Sequence, residues 1–259
     1  MKYVWISFNA ILLALVLAPI AIVILVSFGS REVVEFPPSA WSLRWYAFAL
    51  SQESFVSSAI NSAIVAVTAT AIATPLALGA AMSIARVRFR GRDLVQTLLL
   101  APLFIPAIVT SLALLLALSK FDVRAVSARL VAAHVLIVLP YLIRTVLASL
   151  TRLDDVLEDA ASTLGASSIR VFLHVTLPLI RAGMIAGILF ALIISFDNVS
   201  VSLFLTTPRT NTLPIAILNY VEYNFDPSVA AVSTMLIVIT ATAAAFIERT
   251  VGLRAVAKG

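Results

Sequence analysis

The sequence predicts an all-α polytopic membrane protein of six spans, on three observations: a shortage of charge, an excess of apolar residues, and a series of long stretches free of ionisable side chains. The 259 residues include 18 Lys and Arg and 13 Asp and Glu. A soluble domain of this length, at the usual ~25% charged residues, would carry roughly 65. The chain is 61% hydrophobic, with a mean hydropathy of +1.08. So few charges cannot cover a soluble globule, which excludes a cytosolic enzyme and a disordered tail. The net charge of +5 does not signal nucleic acid, because the bases lie between apolar runs. Without cysteine there is no disulfide framework, thiolate nucleophile or cysteine-based metal site.

A helix rises 1.5 Å per residue, so about 20 residues cross a ~30 Å hydrocarbon layer. Tyr3–Ser30 is uncharged over 28 residues, Ser54–Ala85 over 32 and Leu94–Ser119 over 26. Between Arg129 and Arg152 only Arg144 interrupts the apolar run. Ala182–Phe196 continues past Asp197 to about Thr207, and Pro227–Ile247 is the last stretch. The expected spans are 4–28, 58–85, 94–118, 130–151, 182–205 and 228–247, in one domain covering 1–259. Ten-residue alternation is absent, which argues against a transmembrane barrel. The first apolar run is too long for a signal h-region and reads as an uncleaved span. Pro102 and Pro106 are expected to kink span three.

Basic residues set the orientation. Lys2, Arg86, Arg88, Arg90, Arg92, Arg152, Arg170, Arg181, Arg249, Arg254 and Lys258 fall on one side of an even-span chain. Arg31, Arg44, Lys120, Arg124, Arg129 and Arg209 fall on the other. The richer side faces the cytoplasm by the positive-inside rule, and it holds both termini. Arg144 lies near the inner end of span four, from which its stem can snorkel to the interface. Trp41–Phe48, rich in aromatic residues, suits a short interfacial helix.

The cytoplasmic loop 152–181 reads as a helical hairpin. Asp155 is a candidate N-cap, with Glu158 completing a capping box. Leu157, Ala160, Ala161 and Leu164 recur on one face, and Gly165 stands where a left-handed terminating residue belongs. Ser167 or Ser168 can cap a second helix, which Pro178 is expected to stop or bend. The face at Ala160–Ala161 is small enough for another surface to approach closely.

Asp159-Ala160-Ala161, then Gly165, then Val175-Thr176-Leu177-Pro178 stand at the spacing of the cytoplasmic signature of binding-protein-dependent ABC importer permeases. That signature is Glu-Ala-Ala, three residues, Gly, nine residues, Ile-x-Leu-Pro. The chain resembles this family, with Asp159 in place of the signature Glu and Val175 in place of Ile. The resemblance implies a type I importer permease of a bacterial inner membrane, whose loop docks on a separate ATPase through Glu158, Asp159, Ala160, Ala161, Leu164, Gly165, Leu177 and Pro178. It leaves open whether Asp159 or its neighbour Glu158 makes the ionic contact. It implies two ATPase subunits, a second permease subunit and an extracytoplasmic binding protein as partners. The chain has no Gly-x4-Gly-Lys-Ser/Thr sequence, so ATP and Mg are expected on the ATPase, with no cofactor here.

Ser195-Phe196-Asp197-Asn198 is similar to a stretch of the second permease subunit in spermidine/putrescine-type importers, and the likeness extends loosely over the chain. It implies a polyamine or other small amine or amino-acid-like compound as substrate. Counted from Ala182, Asp197 lies about 22 Å along span five, where a carboxylate is costly on a lipid face. It then faces a watery pathway; if the span begins earlier, Asp197 is a helix-end acid at the outer interface. Asn61-Ser62, at the start of span two, is open between the pathway, a permease interface and a helix cap. Gly183-x3-Gly187 marks a small packing face. Among other classes, an intramembrane protease fails because Ser167 and His174 lie outside any span. His134 and His174, the only two histidines, are too few for a metal site. A stand-alone secondary transporter should show repeats and a midplane acid pair, and neither is visible.

Overall fold

The computed structural model describes residues 2–208 and 210–251, with side-chain surroundings through 245. Arg209, Arg254, Lys258 and the side chain of Arg249, used above for orientation, lie outside the described residues. The described chain is helical, with no strand and two isolated bridges, Gly29 to Trp41 and Thr207 to Thr210. Five helices are long and apolar enough to cross a membrane, and a sixth crossing requires a bent pair.

Two compact units divide the described residues: 2–57 with 216–244, and 58–215 with 245–251. The first unit holds α1 (Lys2–Ser27), α2 (Arg44–Ser51) and the start of α3 (Glu53–Arg86). α1 is apolar and almost wholly exposed, as a helix with lipid or a partner for solvent would be. Ser27 Oγ meets Tyr46 Oη at 2.6 Å, and Phe28 packs on Trp41 and Tyr46, so the aromatic segment is folded back on the end of α1. Its helix begins at Arg44, with Trp45 buried and Trp41 exposed.

In the second unit, the residues expected as span three are not one helix. They form α4 (Arg92–Leu100), extended by a 3-10 turn (Ala101–Leu103), and α5 (Ala107–Lys120), bent by 104°. Pro106 explains the break: it caps α5 with extended ψ and has no N–H to continue the ladder. After α6 (Val126–Leu150) come α7 (Asp155–Thr163), α8 (Ser168–Val171), a π-helical turn (Phe172–Thr176) and α9 (Leu177–Phe196). Pro178 does not stop this run, which continues to Phe196. The wide turn before it makes room for the proline ring, whose usual clash is with the carbonyl four residues back.

Helices α6 and α9 make the most extensive contact in the unit. A Cβ on Gly183 would run into Ser149 Oγ, and one on Gly187 into Thr145 Oγ1. The two backbones therefore approach as closely as a small-residue face allows. Ala73, Ala77, Val138, Leu142, Ile143 and Ala191 form a buried cluster beside this contact. The residues expected as span five, 182–205, are likewise two elements: α9 ends at Phe196, and α10 (Val199–Leu205) starts three residues on. α11 (Leu213–Val221) and α12 (Ser228–Val251) complete the chain.

Candidate functional site

The hairpin at 152–181 is built from the acids at its start. Asp154, one residue before the expected cap, starts α7: its Oδ1 accepts the Val156 N–H at 3.1 Å. Adjacent acids offer two registers, and the chain uses the earlier one. Asp155 is thereby released to pair with Arg86 at the end of α3. Glu158 does not complete a capping box. Its Oε1 accepts Thr176 Oγ1 at 2.7 Å and Arg86 Nη2 at 3.2 Å, and Arg86 Nε lies 3.1 Å from its Oε2. Glu158 thus ties together the ends of α3, α7 and the π-helical turn. Thr176 is buried, and the ion pair is mostly shielded from solvent.

The neighbouring signature residues remain outward. Asp159 is exposed, and no described side chain pairs with it. Ala160 is exposed and Ala161 half-buried; Gly165 ends the helix at φ +87°, a conformation that favours glycine. Leu164 is 89% exposed, and Val156, Leu157 and Ile169 of the same hairpin are exposed as well. Leu177 is half-buried and Pro178 exposed, at the root of α9. An apolar patch left open on a polar loop marks a surface meant to be covered.

At the other end of α9 the chain turns sharply. Ser195 is buried in its last turn, Phe196 half-buried, and Asp197, an exposed residue, caps the C-terminus. Counted from Ser168, where the helical run begins, the end of α9 is about 42 Å along, not the ~22 Å counted from Ala182. An acid at a helix C-terminus opposes the macrodipole, so helix stability does not account for Asp197. Asn198 is explained locally: its Oδ1 accepts the Val201 N–H at 2.8 Å and starts α10. Asn61 does not join this group through any hydrogen bond among the described residues. Its amide donates to Asn211 O at 3.2 Å, while Ser62 Oγ accepts the Leu213 N–H at 2.9 Å. The pair fastens the segment before α11.

Reading the residues alone missed Arg86, Thr176 and Asn211 as parts of these sites. Arg86 was indistinguishable from the three other bases of its loop, and Asn211 and Thr176 carry no motif of their own.

The model of the "Binding-protein-dependent transport system inner membrane component" family matches residues 73–251. The chain is 30% identical over 235 residues to the spermidine/putrescine transport system permease protein PotC of Escherichia coli K12, covering 90% of this chain and 88% of that protein. It is 30% identical over 227 residues to the putrescine transport system permease protein PotI of the same strain, covering 85% and 80%. A crystal structure of a bacterial ABC transporter that imports the acidic polysaccharide alginate superposes with a TM-score of 0.71 at 15% identity, over 96% of this chain and 95% of that one. The signature loop, the apolar helices and the family match converge: the chain belongs to the binding-protein-dependent transport system inner membrane components, permease subunits that work with an ATPase and a binding protein and are not themselves enzymes.

Proposed function

We propose that the chain lines the translocation path for a small amine such as a polyamine, and that ATPase subunits drive it through the hairpin 152–181. The observation that carries the coupling half is the division of labour between adjacent acids. Glu158 is occupied inside the chain, while Asp159 and the Leu164 patch stand outward and unpaired among the described residues. Asp159 is therefore the acid for the ionic contact with the ATPase, in place of the signature Glu. ATP and Mg belong to two ATPase subunits. A sibling permease completes the path, a periplasmic binding protein delivers the solute, and lipid surrounds the assembly. Both termini and the hairpin lie in the cytoplasm. The names of PotC and PotI and the exposed Asp197 support an amine as cargo.

Replacing Ala161 by Trp tests the docking face. Co-purification of the ATPase should fall at least tenfold while membrane insertion stays intact. Unchanged association of a normally inserted variant would remove the hairpin from this role.

A further inference from the structure

The elbow between α9 and α10 is fastened from outside by one side chain. His134, on α6, is 2% exposed, with its Nδ1 2.8 Å from Ser195 Oγ and its Nε2 3.5 Å from Ser202 Oγ. The second contact is at the long edge of hydrogen-bond range. Ser195 lies two residues before Asp197 and Ser202 four residues after Asn198, and both serines are nearly sealed, at 3% and 1% exposed. A common partner for a helical hydroxyl among the described residues is its own backbone: Thr74 to Thr70 O, Ser111 to Ala107 O, Thr242 to Val238 O. Ser195 and Ser202 make no such bond and meet the imidazole instead.

His134 lies on a stretch of α6 whose other buried residues are apolar. Leu130, Ala133 and Val138 share its helix, and Val201 and Leu205 bring α10 against Leu130 and Ala133. Apolar packing of this kind holds α10 near α6 but has no directional preference. A buried imidazole among such groups is costly unless its nitrogens are met. The two serines meet it, one from each arm of the elbow, and in doing so set the angle between the arms. Asp197 and Asn198 are the two residues at the bend.

We propose that His134 is a positioning residue for the transport path: by holding Ser195 and Ser202 together it fixes the α9–α10 elbow and the direction in which Asp197 is presented. The role assigned to Asp197 rests on the function proposed above; the clasp itself does not.

The chain has no cysteine, so Val199→Cys, at the first residue of α10, gives a single thiol beside the bend. Its maleimide-labelling rate is measured in membranes holding the assembled importer, alone and combined with His134→Leu or His134→Gln. Leu should change the rate at least fivefold, and Gln, which restores both a donor and an acceptor, should return it to within twofold. Equal rates in all three would overturn the clasp. Ser195→Ala, which removes only a hydroxyl, should shift the rate at least threefold, and decides the matter if His134→Leu fails to assemble. Uptake of radiolabelled putrescine by Asp197→Asn separates the two ideas. A labelling change with wild-type uptake in Asp197→Asn keeps the clasp and removes Asp197 from the path. Lowered uptake in Asp197→Asn with labelling indifferent to residue 134 does the reverse.

Discussion

At the scale of single residues, adjacent side chains of the same chemistry are assigned different tasks by where the helix starts. Because Asp154 caps α7, Asp155 and Glu158 turn toward Arg86 and Asp159 turns away. Glu158→Gln keeps shape but loses the charge that Arg86 and Thr176 share, and a hydrogen bond to a charged partner contributes about 1.5–3 kcal/mol. The purified permease should melt several degrees lower, at about 2–4 °C per kcal/mol for a chain of this size. Asp159→Asn should leave the melting temperature within about a degree, as exposed substitutions do, and weaken ATPase co-purification. The opposite pattern, a stability loss in Asp159→Asn and a docking loss in Glu158→Gln, would exchange the two roles. The signature spacing made the loop legible in the sequence. The partner of Glu158 was not, because Arg86 is 72 residues away and only folding brings it near.

At the scale of elements, the small-residue face of α9 was visible as Gly183 and Gly187, while its partner face of Thr145 and Ser149 was not. Hydroxyl residues on an apolar helix read as ordinary polar interruptions until a neighbouring backbone is placed against them. Gly187→Val should overpack α6 against α9 and cost about 1–3 kcal/mol, seen as a lower melting temperature and reduced yield of inserted protein. Wild-type stability in that variant would mean that the helices separate without penalty. Apolar length alone placed spans three and five as single helices. It could not show the 104° bend or the α9–α10 elbow, because hydropathy counts residues and is blind to backbone direction. Pro106 announced the first break; Asp197-Asn198 announced the second only as a polar pair.

At the scale of the whole molecule, the fold class was set by composition: so little charge leaves helices in lipid as the available architecture. Orientation is a separate matter, carried by the distribution of Lys and Arg. A single cysteine in place of Ser162, in the hairpin, should resist a membrane-impermeant maleimide in intact cells and react after permeabilisation. One in place of Ser39, in the loop after α1, should react in both. The reverse pattern would invert the chain in the membrane. The absence of native thiols makes both readings clean.

The π-helical turn at Phe172–Thr176 has a consequence for how the loop and the membrane are geared. Each α-helical residue advances the chain by about 100° around the axis, so the number of α-helical residues before Gly183 sets the angular phase of the α9 glycines. The π turn holds one residue more than an α turn over a similar rotation, so losing one there closes it to an α turn and keeps the phase. Losing one from the α-helical stretch 177–182, by contrast, would rotate Gly183 and Gly187 away from Ser149 and Thr145 and bring Met184 and Ile188 into their places. A one-codon deletion in 177–182 would thus jam the packing of α9 on α6, while one inside the π turn would be absorbed. Insertions and deletions should be tolerated far less in 177–182 than simple substitutions.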